Sequence, residues 1–236
     1  MKVKQELNLD FSKGDRLDRL YFKLLRDQGY KFEDPFDIVD IFEKKIAKYS
    51  GSKYAVAVDN GTDALFLCLT YLKSHDVITI PKNTYVSVPS TIIHTGHEVQ
   101  FQNISWSGLY QLVPYPIFDS CCRFRKNMYV EDSYQCLSFH YKKILKMVKG
   151  GMILTNNKNA YEWFRTARTK GRHPHKGVFY KDEHFNMLGW NMYLPPEYCA
   201  EGILIFDSMN DFNEDCAGSD SYYDLNKFEI FRNQDE

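Results

Sequence analysis

The stretch YAVAVDNGTDALFLCLTYL, residues 54–72, decides the architecture. Residues 54–58 form a short β-branched run, Asn60-Gly61 is a turn, and residues 63–72 repeat apolar side chains at helical spacing. A strand, a glycine turn and a helix leave unpaired backbone N–H groups at the helix start, which is a ready anion site. Upstream, FDIVDIFEKKIAKY (36–49) sets Phe36, Val39, Phe42, Ile46 and Tyr49 on one helical face, and Gly51 ends that helix.

Downstream, strands are expected at 77–80, 98–101, 128–130 and 152–155, with a helix over 161–169. Strands alternating with helices predict an α/β protein with a mostly parallel sheet. The binding crevice of such a sheet lies at the carboxyl ends of its strands, where Asn60-Gly61-Thr62, Asp132 and Ser138 fall. The aromatic, proline- and cysteine-rich segment 103–125 carries no regular helical pattern. From Asn213 the chain turns polar and acidic, so residues 1–212 read as one domain and 213–236 as an acidic tail.

The formal net charge of −1 gives no electrostatic footprint for nucleic acid. The start, MKVKQELNLDFSKGD, is too polar for a signal peptide, and no apolar run is long enough to span a membrane, so a cytoplasmic protein is expected. Six cysteines lack C-x-x-C spacing. Cys121 and Cys122 have no His or second cysteine pair at ligand spacing, so no metal site is expected.

Five blocks, taken in order, resemble the DegT/DnrJ/StrS family of pyridoxal-phosphate (PLP)-dependent nucleotide-sugar aminotransferases. They are F-E-K-K-I-A-K-Y-S-G-S-K-Y-A-V-A-V-D-N-G-T-D-A-L, I-P-K-N-T-Y-V-S-V-P-S-T-I-I-H-T-G, V-E-D-S-Y-Q, S-F-H-Y-K-K-I-L-K-M-V-K-G-G and L-G-W-N-M-Y-L-P-P-E-Y-C-A. The resemblance implies a three-layer sandwich like the large domain of fold-type I transferases. It also implies an aminotransferase moving an amino group, from a donor such as glutamate, to a nucleotide-linked keto sugar through PLP and its pyridoxamine form.

Residue by residue, the resemblance makes Lys143 the lysine that holds PLP as a Schiff base, five positions after Ser138 and seven before Gly150. Only an amine can form that imine, and partial burial beside a cationic cofactor is expected to lower the lysine's pKa. Lys142 and Lys146 miss the register and read as solvated charges. Asp132 matches the carboxylate that pairs with the pyridinium nitrogen, and Gln135 the residue near the phenolic oxygen. Gly61, Thr62 and Ser138 correspond to the phosphate cradle, and Tyr85 to the aromatic that stacks on the ring. Asn191 matches an asparagine that reaches the neighbouring subunit's phosphate, which implies a homodimer with shared sites.

Relative to the family, three stretches are short: the crossover between Phe101 and Tyr129, the loop between Gln135 and Ser138, and the region after the G-x-N block. Lys149 also stands where an acidic residue is usual. A reduced homologue that binds PLP without turnover, or serves a regulatory role, is the alternative reading.

Overall fold

The computed structural model describes residues 19–74, 76–172, 185 and 187–231. The polar N-terminal stretch and the acidic residues Asp235 and Glu236 lie outside them. The first described helix, α1 (Leu20–Asp27), buries Phe22 and Leu25. Helix α2 (Pro35–Ser50) follows. Asp34 accepts the Phe36 N–H at 2.8 Å, and Asp37 accepts the Asp34 N–H at 2.9 Å. These bonds satisfy amides that a helix start leaves open. Gly51 ends α2 in the left-handed conformation, φ 86°.

Next come β1 (Tyr54–Val58), α3 (Gly61–Leu72), β2 (Val77–Pro81), α4 (Ser87–His94) and β3 (Glu98–Gln102). They are followed by β4 (Tyr110–Leu112), β5 (Ile117–Asp119), β6 (Tyr134–Ser138), β7 (Gly151–Thr155), α5 (Lys158–Ala167) and α6 (Pro196–Phe206). Five strands order as β1-β7-β6-β5-β4, and β2-β3 pair separately. Thr79 and Val113 exchange backbone bonds of 2.8 and 3.1 Å, which joins β2 to the end of β4.

The α/β sandwich is as expected. The sheet is mixed in its pairing rather than mostly parallel. β7 runs against both β1 and β6, and β4 runs against β5, while β5-β6 and β2-β3 are parallel. The cause is local: short connections at 113–116 and 139–150 cannot carry a crossover helix, so each turns its chain back as a hairpin.

Both faces of the sheet are buried. Along β1, Ala55 and Ala57 face a core formed with α1, α2 and α6, and Val56 and Val58 face a second core formed with α3, α4 and α5. β7 alternates in the same way, with Met152 and Leu154 on the first side and Ile153 on the second. This is the three-layer arrangement.

Two further expectations change. Residues 128–130 are not a strand; the strand begins at Tyr134. Gln135 accepts the Val130 N–H at 2.9 Å and donates to the Met128 carbonyl at 3.4 Å, which holds 128–130 as a loop against the sheet. The 103–125 segment contains β4 and β5. The stretch read as an acidic tail is, through residue 231, a strap packed on the domain. Its three 3₁₀ turns bury Leu225 and Phe231. Arg123 holds Asp215 at 2.6 Å, Lys82 holds Asp224 at 3.0 Å, and the Leu225 N–H donates to the Lys82 carbonyl at 2.8 Å.

One ion pair sits deep in the layers. Glu43 of α2 and Arg168 after α5 are both buried and joined to each other. Glu43 also accepts the Ala57 N–H at 2.8 Å, and Arg168 donates to the Ala57 carbonyl. Replacing Glu43 by Ala leaves a buried guanidinium uncompensated and an edge amide unpaired. Urea unfolding of Glu43→Ala is therefore expected to show a loss of about 3–5 kcal/mol. A loss under about 1 kcal/mol would mean the pair has no such role.

Candidate active site

The carboxyl end of β1 leads directly into α3. Asn60 accepts the Asp63 N–H at 2.9 Å, and the amides of Gly61 and Thr62 open the helix beside it. Space there is tight. A Cβ on Gly61 would lie 2.9 Å from Cys121 Sγ and 3.0 Å from Ser138 Cβ. A Cβ on Gly151 would lie 2.4 Å from the Asn60 backbone, so β7 can only approach this turn without a side chain. Thr62 donates to the hydroxyl of Ser87, the first residue of α4, at 2.9 Å. Gly61, Thr62 and Ser138 are thus brought together. Lys149 pairs with Asp59 at 2.5 Å, so the cation that replaces the usual acid is matched by a carboxylate one residue before the turn.

Lys143 lies on the 139–150 loop. That loop is anchored by the fully buried Leu145 and Met147, and by bonds from Phe139 N–H to Gly150 O (2.8 Å) and Met147 N–H to Phe139 O (3.0 Å). Lys142 and Lys146 are exposed, as their register predicts, whereas Lys143 is half-buried. Its Nζ donates to Cys122 Sγ at 3.4 Å. The Tyr222 hydroxyl lies 3.4 Å from the same sulfur, and the Cys216 N–H donates to the Cys122 carbonyl at 2.9 Å.

This surrounding reverses the expected shift of the lysine. Burial alone would lower the Lys143 ammonium, but the negative sulfur of Cys122, with Cys121 and Tyr222, outweighs it and pushes the lysine above its ordinary value. Cys122 is drawn down to about 6 by a side-chain hydrogen bond from the Cys216 thiol, against the effect of burial, and further by Lys143 and the Tyr222 hydroxyl. Cys216 is pushed up by the same hydrogen bond and then by burial.

Asp132 does not join this group. It precedes β6, exposed and at φ 55°, while Ser138 is the last residue of that strand. A five-residue strand spans roughly 16 Å, so the two stand at opposite edges of the sheet. Gln135 is fully buried but faces the other side of the sheet from Cys136 and is taken up by the 128–130 loop.

A buried carboxylate, Asp119, does lie at this edge. It ends β5 opposite Cys136, on the parallel neighbour of β6, and therefore lies on the Ser138 edge. Buried, it accepts the Tyr110 hydroxyl at 2.8 Å and the Cys121 N–H at 3.0 Å. The signal was present in the sequence: Ile117-Phe118-Asp119 is an apolar run closed by an acid, as Tyr129-Val130-Glu131-Asp132 also is.

Tyr85, between β2 and α4, is exposed, and its ring centroid lies 6.4 Å from that of Tyr222. Asn191 is exposed and bridged to Thr169. Its neighbour Met192 accepts the Asp59 N–H at 2.9 Å, so this segment runs beside the start of α3.

The sequence matches the DegT/DnrJ/EryC1/StrS aminotransferase family over residues 28–110 and 129–225. The chain belongs to that family. Among its relatives is the GDP-perosamine synthase of Caulobacter vibrioides, 24% identical over 214 residues, covering 72% of this chain and 56% of that protein. Another is the dTDP-3-amino-3,6-dideoxy-alpha-D-galactopyranose transaminase of Aneurinibacillus thermoaerophilus, 41% identical over 54 residues, 21% of this chain and 14% of that one. The fold is similar to the crystal structure of AtS13 from Actinomadura melliaura, with a TM-score of 0.67 and 15% identity, covering 80% of this chain and 64% of that one. The family match breaks at 111–128, the segment that holds Asp119, Cys121 and Cys122.

The donor set fits PLP. A helix start with adjacent hydroxyls suits its phosphate, a buried carboxylate suits a pyridinium, and a half-buried amine suits its aldehyde. Within the described residues no group of three or more His, Cys, Asp or Glu side chains could hold a metal ion, and no helix is long and apolar enough to cross a membrane.

A thiolate at Cys122 predicts a titration. The far-ultraviolet thiolate absorbance of the chain is expected to rise with a midpoint of about 6. In Lys143→Met the midpoint moves up, because the ammonium that favours the charged sulfur is gone. An unchanged midpoint in that variant would remove Lys143 from the interaction.

Proposed function

We propose that this chain is a PLP-dependent aminotransferase acting on a nucleotide-linked keto sugar, with glutamate as amino donor and Lys143 as the lysine that carries the cofactor. The observation that carries the reading is the meeting of Gly61, Thr62, Ser138, Asp119 and Lys143 at one edge of the sheet. The products that the relatives are named for, a GDP-linked and a dTDP-linked amino sugar, support the substrate class.

In this reading the amides of Gly61 and Thr62 and the hydroxyl of Ser138 bind the phosphate. Asp119, braced by Tyr110, holds a proton on the ring nitrogen, the role expected of Asp132 from sequence. Tyr85 covers the ring from the solvent side. The bound cofactor supplies an aldehyde that joins amines and a ring that withdraws electrons. Lys143 moves the proton at the substrate carbon. To do so it must first give up its own proton, against the pull of the Cys122 sulfur, which favours the ammonium. Asn191 reaches the phosphate of a second subunit in a homodimer.

One feature favours a second reading, a PLP-binding homologue without turnover: Cys122 stabilises the charged form of Lys143. The readings separate in one series. Chain mixed with PLP should develop a visible absorbance band that borohydride removes and Lys143→Ala abolishes. Asp119→Asn should weaken the band and Asp132→Asn leave it unchanged. Glutamate should then yield one 2-oxoglutarate per chain. A band without 2-oxoglutarate supports the second reading, and the absence of any band sinks both.

A further inference from the structure

We propose that Cys122 and Cys216 are an oxidisable thiol pair, and that hydroperoxide converts them to a disulfide that fastens the strap beside Lys143. The inference rests on how the strap is held, independently of the cofactor reading. The Cys216 N–H donates to the Cys122 carbonyl at 2.9 Å. With standard bond lengths, one N–H···O bond between the two backbones keeps their Cα atoms roughly 5–6 Å apart, within the range of about 4.4–6.8 Å that a disulfide bridges. One member is exposed and meets solvent; the other is buried with an ammonium and a phenol directed at its sulfur, each at 3.4 Å.

Those are the two properties an oxidisable pair needs. A sulfur that meets the oxidant must be accessible, and a sulfur that resolves the product must be a thiolate. Both hydrogen-bond partners favour the thiolate of Cys122, whose low pKa adds to the geometry. A second close pair makes the contrast. Cys68 and Cys136 have sulfurs 3.7 Å apart, but both are fully buried in apolar core, and burial pushes the Cys136 thiol well up. That pair has proximity without access or charge.

The step balances. The exposed thiol of Cys216 passes its proton to the Cys122 sulfur and attacks the peroxide as a thiolate, becoming a sulfenic acid, while the O–O bond is reduced and one alcohol or water leaves, taking that proton and restoring the Cys122 thiolate. The thiolate of Cys122 then attacks the sulfenic sulfur and forms the S–S bond. The expelled hydroxide takes a proton from solvent or from Lys143. Two thiols and one hydroperoxide thus give one disulfide, one alcohol (or water) and one further water.

The consequence is local. The strap from Ala217 to Leu225 is otherwise held by non-covalent contacts: Gly108 N–H to Ala217 O at 3.0 Å, Asn83 Nδ2 to Tyr222 O at 3.0 Å, and the Lys82–Asp224 pair. A covalent tie at Cys216 fixes it and removes the negative sulfur that faces Lys143.

The test treats the full chain with hydrogen peroxide, blocks the remaining thiols, and maps crosslinked peptides by mass spectrometry. A peptide joining Cys122 to Cys216 is expected, reversed by reductant and lost in Cys216→Ser. Amides of residues 217–225 should exchange about tenfold more slowly in the oxidised chain than in the reduced chain, with no such change in Cys216→Ser. A crosslink between Cys68 and Cys136 in its place, sulfinic acid at Cys216 without a crosslink, or a crosslink without slower exchange would each overturn the proposal. Cys216 is exposed, so its serine variant is expected to fold, and Cys122→Ser serves as the second arm.

Discussion

The carboxylate of Glu43 and the guanidinium of Arg168 meet where three layers of the protein touch, and the edge of the sheet depends on them. β1 is an edge strand, so its outer backbone groups need partners. At Ala57 both groups are met by this ion pair, the N–H by Glu43 and the carbonyl by Arg168. One position further on, Val58 bridges Tyr193, and the Asp59 N–H donates to Met192. The pair therefore covers the edge and also draws the Gly189–Leu194 segment against the start of α3. A buried charge pair is seldom a net source of stability, since desolvation offsets much of its attraction. Its worth here is positional: it fixes the turn on which the Gly61 cradle is built.

A close balance of charge governs the chemistry that turn can support. Lys143 has to be neutral to act on a carbonyl, yet its nearest polar neighbour is a sulfur that favours the ammonium. The two sites share protons, so neither titrates alone. A proton moving from Lys143 to Cys122 frees the amine and discharges its neighbour in one event. A cation bound beside the lysine would favour loss of its proton by making the ammonium form costlier. Without one, the sulfur keeps the lysine charged.

The regular parts of the fold were legible because burial imposes a period. β1 and β7 alternate between two cores and α2 repeats at helical spacing, so both the strands and the α/β class follow from apolar positions. The placing of Lys143 on a loop was legible through its distance from Ser138 and Gly150, since those residues bracket it. The buried acid at that edge was not. Two short apolar runs end in an acid, at Asp119 and at Asp132, and only pairing distinguishes them: Asp119 lies opposite Cys136, while Asp132 precedes the strand. Choosing Asp132 made a loop before Ser138 look deleted, whereas from Asp119 the connecting residues are 120–133. Cys122 was invisible for a related reason. It lies far from Lys143 in sequence, and no spacing rule links a cysteine after one strand to a lysine after the next.

The strap is the other feature that composition misjudged. After β3 the chain runs into the β4–β5 hairpin, and the strap packs on aromatic residues that lead into it. Trp106 stacks on Tyr222 with centroids 5.7 Å apart and 22° between planes, and Phe101 meets Phe231 at 6.2 Å. Acidic residues in the strap are spent on cations of the domain, Asp215 on Arg123 and Asp224 on Lys82, so the charge that suggests a solvated tail is the charge that docks it. Each of those pairs is partly exposed and individually worth little. Together with the buried Leu225 and Phe231 they hold the segment against the domain. This cover sits close to the site because the hairpin it packs on carries Asp119, and that proximity puts Tyr222 and Cys216 within reach of Cys122.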